Sequence, residues 1–477
     1  MPQNKYLIIR FNIRTKLKTA TISVARFFFA LCFSTLAACQ APSNDQKALE
    51  PSVYRIDINR FSSEPSSDEL TLDAAASLRY SVKYCVTTFQ DSFRQYLGKY
   101  YDFSFNNDEV IIRPPAFVGF TLAVAAFTNL SDGGQPVVND TDRAFAIRLL
   151  TSLAKAHVAN GGFWGNQWQS ALWASRVGCG AWMLWDYLDP EDQEYVRNMV
   201  IYEADRFLGM SAPVWSGPGD PDTKAEEDAW NASIDELAAS MMPGHRNASA
   251  WLEKSIEYRL NSKARKSDLS RNEIMHGRPL QNWLLGYNIY EDGSVINHGI
   301  YPNPDYIGAI PALTNFGAVV FPLAGKRIPV AVLFNQDLVY YCLADREWSS
   351  GEYAPPGGTI YQSDGSIYWP PLSGAEIERK NSFYIWAMAD ASANLLGFDN
   401  LTKQRGDYWE RLHGKRLLQD QSARLDGSCG ESIETGGKDA EYNAVEIIAM
   451  RYMLHWLKYQ GVIGFTNELP ENFPQKW

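Results

Sequence analysis

The chain has 477 residues, of which 55 are acidic and 44 basic, so its formal net charge at pH 7 is −11. Nucleic-acid binding requires a basic face, and a chain this acidic is predicted to have no nucleic-acid partner. The length suffices for one large domain or two. No Ser/Gly linker or charge block divides the sequence, so we expect one.

The N-terminal segment, residues 1–38, is predicted to be a lipoprotein signal peptide. Basic residues precede an apolar run at 27–35 that is too short to span a bilayer permanently. Leu36-Ala37-Ala38-Cys39 then resembles the lipobox of bacterial lipoproteins. We therefore expect a lipidated Cys39, a tether over 39–70 and an outer-membrane location facing the periplasm or the cell surface. An ordinary signal peptide with an incidental Cys is the alternative.

Apolar residues recur at helical spacing through the rest of the chain, which predicts an all-α fold. Predicted helices cover 73–97, 115–129, 141–158, 167–188, 190–208, 224–241, 248–262, 280–290, 307–323, 329–343, 376–396, 403–418 and 440–460. Short alternating stretches at 109–113 and 359–362 favour strands. Because no repeat of constant period is present, we expect an (α/α) toroid of six or seven helical hairpins over 71–477.

Four cysteines remain beyond Cys39: Cys85, Cys179, Cys342 and Cys429. In an oxidising compartment they could pair in more than one way, although we favour buried free thiols. No pair has the spacing typical of zinc ligands. We predict that the protein needs no metal ion and no cofactor.

Three segments combine aromatic rings with Asn, Gln, Asp or Glu: residues 163–169, 348–353 and 361–369. A sugar ring stacks its C–H faces on aromatic side chains while its hydroxyls find polar partners. The pattern predicts sugar contacts, with Trp168, Gln169 and Tyr361 as candidates. For any single Trp, packing at a helix end is the alternative.

Two further segments carry groups suited to catalysis. The loop at 291–308 is too rich in Gly and Pro for the middle of a helix, and it holds His298, Tyr301 and Tyr306. An imidazole exchanges protons near neutral pH, and a nearby phenol can relay them. The segment 222–233 predicts a helix with an acidic first turn, in which Trp230 precedes Asn231, a mediocre helix former.

Together these segments resemble the polysaccharide lyases built on helical toroids, which include the hyaluronate, chondroitin, alginate and glucuronan lyases. In the hyaluronate-lyase group a segment beginning Asp-Gly-Ser carries the His, and a Tyr follows. Here Asp292-Gly293-Ser294 precedes His298 and Tyr306, although residues 295–297 are Val, Ile and Asn instead of the expected aromatic and Gln. The chain has no room for a following β-sandwich domain, so the single-domain alginate or glucuronan type is the closer likeness.

The resemblance implies metal-independent β-elimination on an anionic uronic-acid polysaccharide. We expect the protein to be a monomer. The C5 proton is scarcely acidic beside a charged carboxylate, so the enzyme must stabilise the developing enolate. Asn231 would neutralise that carboxylate, helped by Arg278 or Arg346. His298 would act as the base or share the carboxylate contact.

The acid in this mechanism would be a tyrosine. Tyr306 would donate to the leaving oxygen and could also take the C5 proton. Tyr353 is its rival and Tyr301 the third candidate. His276, beside Arg278, would be a substrate contact.

Two other functions fit the same sequence. A toroid glycoside hydrolase acting on uronic-acid oligosaccharides would need two carboxyl groups across the scissile bond, and the sequence offers Asp222, Glu226, Asp228, Glu291 and Asp292. A non-catalytic glycan-binding lipoprotein would share the anchor and the aromatic residues but would have no use for His298 and Tyr306 together.

Overall fold

The structure is a computed structural model, and it describes residues 52–62, 66–93, 97–103, 109–297, 302, 304–349, 357–369, 382–430 and 441–469. The predicted signal peptide, Cys39 and half of the tether lie outside these ranges, as do His298, Tyr301 and Tyr353. Their predicted roles therefore stay predictions.

The described chain is mostly helical, as the apolar spacing predicts. Its α-helices are α1 (Glu69–Tyr84), α2 (Glu109–Phe127), α3 (Asp140–Lys155), α4 (Ser170–Met183), α5 (Pro190–Leu208), α6 (Ala225–Met241), α7 (Ala248–Ser262), α8 (Pro304–Thr314), α9 (Phe316–Leu323), α10 (Gln336–Ala344), α11 (Phe383–Leu396), α12 (Gly406–Ser422) and α13 (Glu441–Tyr459).

Each strand in the described ranges is two residues long. The antiparallel pairs are β1 (Ser131–Asp132) with β2 (Gln135–Pro136) and β3 (Ile274–Met275) with β4 (Arg278–Pro279). The parallel pair is β5 (Ile328–Pro329) with β6 (Phe465–Thr466). Each sheet has two strands, so helix packing rather than sheet formation organises the fold.

Local chemistry explains where several helices begin. Asp189 caps α5 by accepting a hydrogen bond of 3.0 Å from the backbone N–H of Asp192, and Pro190 occupies the first helical position. Asn139 and Asp142 form a reciprocal capping box at the start of α3. These signals are local, which is why α5 has the bounds that its sequence predicts.

Three of the predicted elements are wrong. Residues 280–290 form one 3-10 turn, Leu280–Asn282, instead of a helix. The stretch 109–113, predicted as a strand, is the first turn of α2. The predicted strand at 359–362 contributes a single bridge between Tyr361 and Ile367.

Six helices make successive contacts with one another. Helix α2 packs against α4, α4 against α6, α6 against α8, α8 against α11, α11 against α13, and α13 against α2. Helices α3, α5, α7, α10, α12 and α1 pack against members of this set. Burial is deep in several of them: every residue of α4 is buried, and so is almost every residue of α11, while α9, outside this set, is also buried throughout.

Among the described residues, two stretches are long and apolar enough to cross a membrane, Glu109–Phe127 and Pro304–Leu323, but 72% and 83% of their apolar windows are buried inside the protein. That burial is expected of core helices. Cys85, Cys179 and Cys342 are buried free thiols, and Cys429 is a partly buried one.

Candidate functional site

A cavity of about 420 Å³ lies where the first turns of α2, α4, α6, α8, α11 and α13 converge. Each of these helices contributes at least one lining residue from its first turn. The lining comprises Glu109, Arg113, Phe117, Trp168, Gln169, Leu172, Arg176, Asp222, Thr223, Glu226, Glu227, Trp230, Asn297, Asp305, Tyr306, Ala309, Ala312, Leu313, Tyr384, Ile385, Asn443, Glu446 and Ile447. Helix N-termini carry partial positive charge, so their convergence favours anionic groups here.

Two tryptophans from separate segments form one aromatic wall of this cavity. The side chain of Trp168 is 60% exposed, whereas Trp230 is buried. Their ring centroids are 4.9 Å apart with an interplanar angle of 71°, an edge-to-face arrangement. The buried Trp230 ring thereby holds the Trp168 ring in place, and the Trp168 ring keeps an accessible face.

Cationic groups enter from α2 and α4. Arg113 donates from Nη1 to Oε1 of Gln169 at 3.1 Å and lies 3.4 Å from Glu109. Arg176 donates from Nε to Glu446 at 2.6 Å, and its guanidinium lies 4.3 Å from the ring centroid of Phe316. The longer contacts of Arg113 leave its guanidinium better able to meet an incoming carboxylate.

Carboxyl groups line the cavity at the start of α6. Asp222 contacts Lys224 Nζ at 2.5 Å, and Glu227 lies 3.5 Å from the same ammonium. Burial raises the pKa of the Glu227 carboxyl, and the Asp222 carboxylate adds to this, while Lys224 opposes it. Glu227 is thus the cavity carboxyl with the clearest physical reason to hold a proton.

Asn231 lies one turn beyond Glu227, on the same face of α6. Its side chain is buried and is not part of the cavity lining, although its neighbour Trp230 is. Its Oδ1 makes no hydrogen bond to any described residue. An unsatisfied buried acceptor costs about 1–3 kcal/mol, and this oxygen can be satisfied by a hydrogen-bond donor but not by a carboxylate.

The segment that leads to His298 begins with a tight turn at residues 292–294. Asp292 Oδ1 accepts hydrogen bonds from the backbone N–H and the hydroxyl of Ser294, at 2.9 and 2.6 Å. The left-handed Gly293 (φ +88°) lets the backbone approach Leu338, where a Cβ would lie 2.4 Å from its carbonyl oxygen. The Asp-Gly-Ser sequence is therefore a tight turn.

After this turn the chain is pinned to the start of α6. The carbonyl of Ile296 accepts from the backbone N–H and the hydroxyl of Thr223 at 3.0 and 2.9 Å. Asn297 then lines the cavity and donates from Nδ2 to Glu226 at 3.1 Å. The described segment ends there, one residue before His298.

The structure brings Trp168, Gln169, Trp230 and Tyr306 together at the cavity, whereas Asn231, the neighbour of Trp230 in sequence, is not part of the lining. It places the two predicted arginines elsewhere. Arg278 is ion-paired with Glu253 and lies over the Trp283 ring at 4.5 Å. Arg346 pairs with Asp292 at 2.7 Å and lies 3.6 Å from the Trp348 ring centroid.

His276 and Tyr361 are also remote from the lining. Burial lowers the pKa of His276 to about 4, and its Nε2 accepts from the backbone N–H of Ala331 at 3.3 Å. The Tyr361 hydroxyl donates to buried Asp390 at 3.0 Å. Both contacts are typical of structural residues.

Of the carboxyls named for a hydrolase, Asp222 and Glu226 line the cavity and the others do not. Asp228 is buried and accepts from Asn288 Nδ2 at 2.9 Å. Glu291 accepts from the hydroxyl of Ser267 at 2.6 Å, and Asp292 forms the turn described above.

Sequence reasoning missed Arg113, Arg176 and Glu227. A charged residue inside an otherwise apolar helix is a usable signal for the first two, because an arginine buried in a core needs a partner. Across the described ranges, no group of three or more His, Cys, Asp and Glu side chains could hold a metal ion.

In comparisons with known proteins, no family model matches the chain, and no curated protein matches it significantly.

Proposed function

We propose that the protein is an exported polysaccharide lyase that cleaves a uronic-acid-containing polysaccharide by metal-independent β-elimination. One observation carries the proposal: three segments far apart in sequence, 163–169, 222–233 and 292–306, contribute to a single cavity. Those are the segments in which the residue types of the toroid lyases were found. The resemblance favours alginate or glucuronan as the polymer.

The proposed architecture is an (α/α) toroid with six inner helices. In its support, the contacts among α2, α4, α6, α8, α11 and α13 run in cyclic order and return to α2. Such a closed order puts like ends of the inner helices at the same side. Their N-terminal turns then surround the cavity, which is the usual place for a site between helices of a bundle.

In the proposed mechanism the uronate stacks on Trp168 and directs its carboxylate to Arg113. The contact predicted for Asn231 would have to be made by its Nδ2 group, because the amide oxygen only accepts hydrogen bonds. Arg113 takes the role predicted for Arg278 or Arg346, because it lines the cavity. Neutralising the carboxylate makes the C5 proton removable and stabilises the enolate as charge develops.

Proton transfer is assigned to the loop at 298–306. His298 or Tyr306 removes the C5 proton, and Tyr306 donates to the departing O4 oxygen, with Tyr353 as the alternative donor. The C5–H and C4–O bonds break, a C4–C5 double bond forms, and the leaving sugar takes a proton. Cys39 would anchor the enzyme to the outer membrane.

A glycoside hydrolase is the second candidate, and Glu227 favours it. Hydrolysis needs one protonated and one ionised carboxyl across the bond. Glu227, with its raised pKa, would be the acid, and Asp222 or Glu226 would be the base.

Incubating the purified protein with a panel of uronate polymers distinguishes the candidates. A lyase generates a conjugated double bond that absorbs in the ultraviolet. A hydrolase generates reducing ends without that absorbance.

A further inference from the structure

The loop that carries Trp168 is anchored to α5, a helix from which the described cavity lining takes no residue. The backbone N–H of Asn166 donates to Oε1 of Glu203 at 3.3 Å. The side-chain amide of Asn166 also contacts the hydroxyl of Tyr202, at 3.0 and 3.1 Å. Four residues later, the Ser170 hydroxyl lies 3.0 Å from Oε2 of Glu203. The two oxygens of one carboxylate therefore contact the chain on either side of Trp168.

The Glu203 carboxylate is a rigid anchor because it is buried and fully engaged. It accepts from Nη2 and Nε of Arg206 at 2.6 and 3.1 Å. Its Oε1 lies 3.1 Å from Nε2 of His157, whose Nδ1 accepts from the backbone N–H of Ala159 at 3.1 Å. The imidazole proton is therefore on Nε2 and is donated to Glu203. Burial raises the pKa of the Glu203 carboxyl, but the His157 hydrogen bond and the Arg206 charge outweigh it, so the pKa lies below its ordinary value.

The loop backbone follows the Glu203–His157 pair closely. Gly165 has a φ of +121°, and a Cβ at this position would lie 2.6 Å from His157 Nε2. Asn166 adopts a left-handed conformation, with φ +66°. Helix α4 begins at Ser170. Only residues 167–169 thus lie between the two contacts with Glu203, and so the direction of the Trp168 side chain depends on where Glu203 holds their ends.

We infer that Glu203 is a positioning residue, which fixes segment 166–170 so that the exposed Trp168 ring keeps its edge-to-face contact with Trp230 and presents its open face to a sugar. Glu203 acts through Trp168, since it contacts the segment and does not line the cavity. The stacking role rests on the proposed function, whereas the orientation of the ring does not. A purely structural role, in which Glu203 only pairs with Arg206 and His157, would leave Trp168 in place when the carboxylate is removed.

Fluorine NMR of protein labelled with 5-fluorotryptophan tests the orientation. The signal that disappears in Trp168→Phe belongs to Trp168. Contact with Trp230, 4.9 Å away between ring centroids, displaces this signal from that of free 5-fluorotryptophan. In Glu203→Gln we expect the Trp168 signal to lose most of that displacement, because the segment is no longer held.

The matched control is Glu410→Gln. Glu410 is also a buried carboxylate held by an arginine and a histidine, with 2.8 Å to Arg451 Nε and 2.7 Å to His455 Nε2. Its removal unpairs the same kinds of group without touching segment 166–170, so the Trp168 signal should stay where it is. Ser170→Ala is the milder variant, since it removes one neutral contact to Glu203 and leaves no charge unpaired. It should move the Trp168 signal in the same direction by less.

Affinity tests the functional part, with trisaccharides of glucuronate and of mannuronate titrated by calorimetry. We expect Glu203→Gln to weaken binding by up to about tenfold, the value of one stacking contact. In a Trp168→Ala background the same change should cost little more, because two residues that act through one contact are not additive. Glu410→Gln should leave the affinity of the folded protein unchanged.

The outcomes separate the two proposals. A Trp168 signal that stays in place in folded Glu203→Gln and in Ser170→Ala overturns the inference and leaves the lyase proposal standing. So does an equal movement in Glu410→Gln, or an undiminished cost of Glu203→Gln in the Trp168→Ala background. Failure of both trisaccharides to bind the wild type counts against the proposed function, and the fluorine signal then still decides whether Glu203 positions Trp168.

Discussion

The exposed indole of Trp168 is held edge to face against the buried indole of Trp230, with 4.9 Å between ring centroids. Trp168 comes from the loop before α4 and Trp230 from α6, so the pair joins two separate segments of the cavity lining. A ring supported in this way offers a stacking surface whose orientation is set before the sugar arrives. Preorganisation of this kind reduces the entropy lost on binding.

Replacing Trp168 by Ala should therefore weaken substrate binding and leave the fold intact. We expect KM to rise about tenfold, the value of one lost stacking contact. Steady-state kinetics and thermal unfolding measure the two effects. Phe163→Ala is the matched control, since Phe163 is 61% exposed in the same segment but is not in the lining. Equal losses in the two variants would contradict a stacking role for Trp168.

Tyr306→Phe should lower kcat with little change in KM. The phenol is assigned to proton transfer, a contribution of about 10²–10⁴-fold. Tyr384→Phe removes another cavity-lining phenol and should have a much smaller effect. If Tyr384→Phe is the variant that loses turnover, the acid has been assigned to the wrong helix.

Arg113→Lys should raise KM and lower kcat, because an ammonium cannot reproduce the planar fork of a guanidinium on a carboxylate. Arg278→Lys makes the same change outside the cavity and should have little effect on turnover. The two variants compare Arg113, which lines the cavity, with Arg278, which was predicted from the sequence. Loss of activity in Arg278→Lys alone would support Arg278, and not Arg113, as the arginine that contacts the substrate carboxylate.

Glu410→Gln should destabilise the protein without altering the activity of folded molecules. Glu410 is buried, and its Oε1 lies 2.8 Å from Arg451 Nε and 2.7 Å from His455 Nε2. Removing one partner of a buried pair typically costs about 3–5 kcal/mol. Urea unfolding measures the loss. Asp407→Asn, an exposed change on the same helix, should cost under about 1 kcal/mol, and a similar cost for both variants would refute this account of Glu410.

The buried carboxyl of Glu441 should make stability depend on pH. Burial raises its pKa from 4.5 to about 7, although the backbone N–H groups of Cys429 and Gly430 oppose the shift. The folded state therefore holds a proton that the unfolded state releases, so this group's contribution falls as pH rises from 4.5 to 7, by roughly 3 kcal/mol. Glu441→Gln should flatten that part of the profile in urea titrations, whereas exposed Glu194→Gln should not. An unchanged slope in Glu441→Gln would exclude this carboxyl as the cause.

The sequence predicts helices well where the signals are local. The Asp189 cap and Pro190 define the start of α5 without help from the rest of the chain. The prediction for residues 280–290 fails because Leu280, Trp283 and Leu284 are buried at the helix-like spacing i, i+3, i+4 in chain that forms only one 3-10 turn. There the side chain of Asn288 bonds the carbonyls of Pro213 and Asn261, at 2.9 and 3.1 Å, so long-range contacts hold the backbone.

The residues of the candidate site likewise fall into those that a local sequence signal identifies and those that it does not. Trp168, Trp230 and Tyr306 were identifiable because each stands in an unusual local context. Arg113 was not, since its importance depends on α2 meeting α4, which no local pattern records. Arg278 and Arg346 looked suitable by proximity to candidate loops, but each is engaged by a carboxylate and an aromatic ring of its own.

The most direct measurement is ultraviolet absorbance during incubation of the purified protein with uronic-acid polysaccharides, recorded together with the release of reducing ends. The lyase account predicts that at least one polymer gives both signals in parallel, and that Tyr306→Phe suppresses both. Reducing ends released without absorbance would contradict elimination and favour hydrolysis with Glu227 as the acid. Binding of these polymers without either signal would contradict catalysis altogether.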